Sequence, residues 1–248
     1  MPQLLSALHY LRDHIFFPTH CAVCGRTSQS PVCPDCEKYL DFIEPPCCEL
    51  CSGTLRGGDG NICASCAALR PRFVRLTSAA AYNAATARIV KRAKYAGAYM
   101  YVDYMAEQID RRCFFPRGAE LVTCVPMHLK ERLTRTYDHN LLLGKLVARR
   151  RGLDFESLFD KVSFSKNQAS IGGEDRERIA NIAGTFRVRP GVSGTLKGKK
   201  IVVCDDVTTS GATMNELARL LSEEGARVWC VTFANSGYAP RHGHILLL

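Results

Sequence analysis

The strongest constraint on this chain lies in residues 21–66, where eight cysteines stand as four C-x-x-C pairs: Cys21 and Cys24, Cys33 and Cys36, Cys48 and Cys51, Cys63 and Cys66. Two intervening residues let both thiolates of a pair reach one tetrahedral Zn²⁺ at about 2.3 Å. Gly25 and Gly53 follow two of the pairs, where a knuckle turn calls for positive φ. Eight residues separate the pairs of the first group and eleven those of the second, spacings that suit small zinc ribbons. Consecutive pairing is the simplest reading. It gives two structural Zn²⁺ sites, one at Cys21, Cys24, Cys33 and Cys36 and one at Cys48, Cys51, Cys63 and Cys66. The spacing leaves open whether Cys47 or Cys48 is the ligand, and whether the knuckles pair consecutively or interleave.

The first residues, MPQLLSALHYLRDHIFFP, have no basic leading region and no small-residue cleavage site, and residues 3–15 read as a short amphipathic helix stopped by Pro18. No run approaches the roughly 18 apolar residues of a membrane span. The expectation is a soluble, cytoplasmic protein whose paired cysteines hold metal rather than disulfides. Cys113, Cys124, Cys204 and Cys230 stand singly and read as small buried hydrophobes. The net charge of +9 is uneven, with −2 in residues 1–70 and +11 in residues 71–248. The positive field belongs to the larger segment and suits a polyanion or a phosphorylated ligand. The cysteine segment, poor in cations, reads as a folding staple or a docking surface.

The chain divides accordingly into residues 1–70, a helix and a double zinc ribbon, and residues 71–248. In the second part, strands are expected at 73–82, 120–125, 200–204 and 226–233, and helices at 84–95, 99–112, 139–151 and 212–224. Apolar strands alternating with helices imply an α/β fold with a mainly parallel sheet flanked by helices. Residues 153–198 have weak periodicity and read as a long mobile loop region with one or two short strands.

Ligands of such sheets bind beyond the carboxyl ends of the strands, and VVCDDVTTSGAT (202–213) falls there. Val202, Val203 and Cys204 are expected to end the strand, with Asp205 and Asp206 at its mouth and Thr208–Thr213 leading into a helix. The turn's N–H groups, the helix's positive end and the hydroxyls of Thr209, Ser210 and Thr213 suit a phosphate. Gly211 lets backbone approach it closely. The carboxylates repel that phosphate but accept hydrogen bonds from ribose hydroxyls, or sit beside Mg²⁺ on a diphosphate. A sugar phosphate satisfies both halves. The Walker lysine pattern is absent.

This stretch resembles the 5-phosphoribosyl-1-diphosphate (PRPP) motif of type I phosphoribosyltransferases, which assigns Asp205, Asp206, Thr208, Thr209, Ser210, Gly211, Ala212 and Thr213 to PRPP. The whole chain, cysteines included, resembles the competence protein ComF family, which joins a zinc-ribbon segment to a phosphoribosyltransferase-type domain. KRAKYAGAY (91–99) is similar to the family's K-Y-x-G stretch and VPMHLKERLTRTYDHN (125–140) to a further element. Gln168, Arg178, Asn181 and Phe186 fall at positions like those of its Q…R-x-x-N…F element. Thr136 replaces a usual glycine, and Thr209 stands where purine-salvage enzymes carry an acid. The resemblance implies a role in natural transformation, handling imported single-stranded DNA alongside other competence or recombination proteins, with Mg²⁺ accompanying PRPP. An active phosphoribosyltransferase with an unidentified acceptor is the alternative, with Lys130 and Arg132 as counter-charges at a diphosphate loop.

For DNA, the basic helix offers Arg88, Lys91, Arg92 and Tyr95 at spacings of three and four, with Lys94 nearby. Cations for phosphates and a ring for bases are the usual chemistry of single-strand binding. Arg132, Arg135 and Tyr137 extend this surface. The Arg149–Arg151 run reads as a charged helix end.

Overall fold

The computed structural model describes residues 19–55, 60–95, 99–127, 137–162, 182, 184–192 and 194–239. The amphipathic helix expected at 3–15, together with Lys130, Arg132, Arg135, Thr136, Gln168, Arg178 and Asn181, lies outside them. In chain order the elements are α1 (Pro34–Glu37), α2 (Ala64–Leu69), β1 (Arg75–Ala81), α3 (Ala84–Tyr95), α4 (Tyr99–Arg112), β2 (Leu121–Cys124), α5 (His139–Arg151), β3 (Asp154–Phe155), β4 (Phe159–Lys161), β5 (Phe186–Val188), β6 (Lys200–Thr208), α6 (Ala212–Glu223) and β7 (Arg227–Asn235).

Five strands form one parallel sheet in the order β1-β7-β6-β2-β3. Alternating side chains of β6 leave on opposite faces. Val202 and Cys204 join Ile89, Met105, Ile109, Leu143 and Val147 under α3, α4 and α5. Ile201 and Val203 join Met214, Leu217 and Leu221 of α6, with Phe159 and Phe186. Burial on both faces is why KIVVC reads as unbroken apolar sequence. Cys113, Cys124, Cys204 and Cys230 are all buried, as expected of small hydrophobes.

The sequence placed the acids beyond the end of β6, but the strand runs through them to Thr208. The cause is β7, which is equally long and keeps pairing: Asp205 with Thr232, Val207 with Ala234, Thr208 with Asn235. On the other flank β2 stops at Cys124, opposite Cys204. Among the described residues the acids therefore have a strand neighbour on one side only. Within 153–198 the described residues carry three short strands; β3 joins the main sheet, and β4 pairs with β5 antiparallel.

The cysteine segment packs into the same molecule at two levels. Cys21, Val23 and Leu40 sit in the hydrophobic cluster under α3 and α4. The stretch between the two cysteine groups, together with Leu50 of the second, covers the free edge of β1, with Ile43 N donating to Ala79 O (3.0 Å), Ala81 N to Asp41 O (2.7 Å) and Leu76 N to Leu50 O (2.7 Å). An exposed edge strand is a template for unwanted pairing, and this one is occupied. The arginine run at the end of α5 staples it to α4: Arg150 reaches Asp103 (2.7 Å) and Arg151 reaches Asp110 (2.6 Å).

Helix α5 lies close to the sheet because residue 144 is glycine. A Cβ there would stand 2.6 Å from Phe155 Cε2 and 3.2 Å from Cys124 Cβ. Gly144→Ala is therefore expected to destabilise the protein by about 1–3 kcal/mol through overpacking, read as a lower urea midpoint with an unchanged slope.

Candidate functional site

The cysteines converge in two sets, Cys21, Cys24, Cys33 and Cys36 and then Cys48, Cys51, Cys63 and Cys66, with all thiol sulfurs of a set within 4.8 Å of one another. A tetrahedron with Zn–S bonds of about 2.3 Å has S–S edges of about 3.8 Å. Cys24 and Cys33 stand 3.9 Å apart and Cys51 and Cys63 3.7 Å apart. Backbone N–H groups of Cys33 and Cys63 also point at Cys21 and Cys48 sulfurs, at 3.4 Å each. The donor sets fit structural zinc, paired consecutively, with Cys48 rather than Cys47 as ligand. One detail differs from expectation. Gly25 has positive φ (77°), but in the other knuckle it is Ser52, not Gly53, that does (57°). Ser52 is held there by its N–H on Cys48 O (2.8 Å) and its hydroxyl on Leu76 O (3.1 Å).

Asp206 is buried at the open flank of β6. Lys94 Nζ, from the last turn of α3, stands 2.8 Å from its Oδ2, and His139 Nε2 donates to the same oxygen at 2.9 Å. Asn140 Nδ2 donates to Asp205 Oδ1 at 2.7 Å, and Asp206 N donates to that oxygen at 2.9 Å. The local sequence explains this reach. Asp138 caps α5 by accepting from Leu141 N (3.0 Å), which fixes the first turn and presents His139 and Asn140 to β6. Burial, then the charge of Asp206, push Asp205 up to about 7. Burial acts to raise Asp206 as well, but the hydrogen bond from His139 and the charge of Lys94 hold it below the ordinary carboxylate range.

Residues 208–213 leave the strand and enter α6. Gly211 is its N-cap with φ 75° and no capping side-chain hydrogen bond. Among the described residues nothing lies within 4 Å of where its Cβ would be. The first N–H groups of a helix need partners; Ala212 N donates to Ser210 Oγ at 3.4 Å, and the N-cap Gly211 has no side chain to supply another. A cleft of about 510 Å³ is lined by this loop on one side and by Cys51, Ser65 and Cys66 of the second ribbon unit on another. A second cleft, of about 840 Å³, lies between Pro126, Met127 and Asp138 and the β4–β5 pair with Arg187 and Arg189.

The basic helix is less uniform than its sequence suggested. Arg88 Nη1 donates to Val23 O (2.6 Å) and Arg92 Nε to Ala22 O (3.3 Å), both carbonyls inside the first knuckle. Lys91 is exposed. Lys94 turns to Asp206. Tyr95 ends the helix. Tyr137 packs against the core beneath the helices instead of extending a surface. Sequence reasoning placed Lys94 with DNA and gave no role to His139 or Asn140. The element TYDHN (136–140) carried the only signal for the latter two.

The double zinc ribbon domain family matches residues 13–67 and the phosphoribosyl transferase domain family residues 155–243. The DNA utilization protein YhgH of Salmonella typhi is 24% identical over 85% of this chain and 88% of its own length. Competence protein F of Haemophilus influenzae is 21% identical over 86% of this chain and 96% of its own. The resemblance to the ComF family holds along most of the chain. The N-terminal segment is a double zinc ribbon and the sheet is of phosphoribosyltransferase type. Among solved structures, glutamine PRPP amidotransferase from B. subtilis overlaps loosely, with TM-score 0.36 and 18% identity over 58% of this chain and 30% of that one. No described helix is long and apolar enough to cross a membrane.

Metal analysis of purified protein is expected to give two zincs per chain. Cys48→Ser should lower that number by about one, while Cys47→Ser should leave it unchanged.

Proposed function

We propose that this chain is a competence or DNA utilization protein of the cytoplasm that handles single-stranded DNA and binds PRPP, or a related sugar phosphate, at the end of β6. One observation carries the ligand reading: two consecutive carboxylates lie on the part of β6 that β2 does not flank, and the strand leads through Thr209 and Ser210 into a helix whose N-cap, Gly211, has φ 75° and no capping side chain. In this reading the 5′-phosphate accepts hydrogen bonds from N–H groups and hydroxyls of residues 208–213, with Thr209, Ser210 and Thr213 supplying hydroxyls. Ribose hydroxyls donate to Asp205, the more exposed acid. Asp206, engaged by Lys94 and His139, anchors the pair. Mg²⁺ accompanies the diphosphate; the second cleft carries Arg187 and Arg189, both paired with Asp160.

Calorimetry with PRPP, with and without Mg²⁺, tests the reading. Asp205→Asn should weaken binding roughly 10- to 150-fold, equivalent to the about 1.5–3 kcal/mol of a charge-assisted hydrogen bond. Asp206→Asn is a poorer probe, because it leaves Lys94 and His139 facing a neutral group in a buried place and costs stability as well. The pH dependence has a defined sign. With Asp205 raised to about 7, the accepting carboxylate is mostly protonated at pH 6 and mostly ionised at pH 8. Affinity should rise about tenfold across that interval at saturating Mg²⁺, and Asp205→Asn should remove the part of the rise that the ligand's own phosphates do not account for. Wild-type protein that shows no heat with PRPP would reject the site.

For DNA, we place the contact on the groove between α3 and the first knuckle, lined by Ala22, Val23, Gly25, Arg88, Lys91 and Arg92. Arg88 and Arg92 also hold the ribbon, so their removal perturbs folding. Lys91→Ala leaves those ties in place. It should lower the slope of log K against log salt for single-stranded DNA by about 0.7, the value of one phosphate contact, without changing zinc content. An unchanged slope would move the DNA surface elsewhere.

A further inference from the structure

The second ribbon unit is joined to the phosphate loop by a continuous path of hydrogen bonds. Asn235, the last residue of β7 and buried, donates from Nδ2 to Cys51 O at 2.9 Å and accepts from Gly237 N at 2.8 Å on Oδ1. Its strand partner is Thr208, the residue that opens the loop. Ser236 N then donates to Thr208 O at 3.0 Å. From the ribbon side, Thr54 N donates to Gly237 O at 3.1 Å and Thr54 Oγ1 accepts from Ala239 N at 2.7 Å. The turn at residues 235–239 is thus clamped between the Cys51 knuckle and the loop. The same residues wall the cleft of about 510 Å³. The first cysteine set is tied elsewhere, to Arg88 and Arg92 of α3.

A knuckle keeps its shape only while its thiolates share a ligand. We propose that Asn235 is a positioning residue that couples the second cysteine set to the phosphate loop, so that Zn²⁺ at Cys48, Cys51, Cys63 and Cys66 and a phosphate ester at residues 208–213 each strengthen the other's binding. This rests on the reading of the loop as a phosphate-ester site. Coupling between two sites is reciprocal. A ligand that orders Thr208 and the turn holds Cys51 in place, and an ordered Cys51 knuckle presents the loop.

The test uses the full chain, PRPP with Mg²⁺ as the probe, and a zinc chelator titrated against it. Released thiols are alkylated and assigned by peptide mass, so each cysteine set is read separately. In wild type, PRPP should raise about tenfold the chelator concentration that half-empties the second set, within the usual range of such couplings. The first set should not respond. Asn235→Ala should keep both zincs and the fold by circular dichroism, yet lose the protection. Should that variant fail to fold, Thr54→Val, which removes the acceptor for Ala239 N, takes its place and should reduce the protection. Calorimetry on the same samples separates the two ideas. PRPP that binds without protecting the second set, or that protects Asn235→Ala and Thr54→Val as well as wild type, overturns the coupling and leaves the ligand site standing. PRPP that does not bind at all overturns both.

Discussion

A carboxylate buried near the end of a sheet strand has to be matched by positive charge and hydrogen bonds, and Asp206 is matched by two residues from two helices. Lys94 brings the end of α3 to β6, and His139 brings the start of α5. Helix α3 in turn holds the first knuckle through Arg88 and Arg92. A path of polar contacts therefore runs from the first cysteine set, along α3, to the acid pair and on to α5. The arrangement also divides labour between adjacent acids. Asp206 is stabilised as an anion by its partners, and burial, then that anion, raises the pH at which its neighbour Asp205 ionises. Two acids one residue apart thus differ in role because they differ in surroundings.

The ribbon segment is structural in a specific sense. A five-stranded parallel sheet has two edges. One edge here is β3, only two residues long, and a short edge offers little to pair with. The other is β1, seven residues long and almost wholly buried. It is covered by residues 41–50, which follow the first cysteine set and run into the second. That stretch has little regular structure of its own, so the cysteine sets supply the constraint that a longer strand or a covering helix would supply in a larger domain.

Much of this was legible in the sequence. The helices expected at 84–95, 99–112 and 139–151 are those observed as α3, α4 and α5, and the C-x-x-C spacing gives the two metal sets. What local pattern does not carry is partnership across the chain. The sequence reading ended β6 at Cys204 because two acids break an apolar run; the strand continues because Thr232, Ala234 and Asn235 of β7 are there to pair, which only the register reveals. Lys94 shares the basic composition of its helix, and nothing in its periodicity says that it turns inward to a residue more than a hundred positions later. His139 and Asn140 lie in a stretch marked by resemblance, yet their targets on β6 are 67 and 65 residues away. The exchange of Gly53 for Ser52 at the left-handed position depends on Leu76 O, another distant group.

The arginines of α3 raise a question about whether a side chain can both hold the ribbon and meet DNA. The physical chemistry allows it. A guanidinium carries five N–H donors in a rigid fork, and at Arg92 the bond from Nε to Ala22 O uses one of them. A carbonyl is a dipole, not an anion, so it orients the guanidinium without cancelling its charge. Arg92 is thus held in place by a neutral group, an arrangement that lowers the entropy a side chain loses when it meets a phosphate. A lysine cannot do both so well, because its ammonium is a compact, strongly hydrated charge on a flexible stem. That difference matches the distribution seen: arginines at the positions that touch the knuckle, a lysine at exposed position 91, and at position 94 a lysine set against a carboxylate, where its charge is used inside the protein.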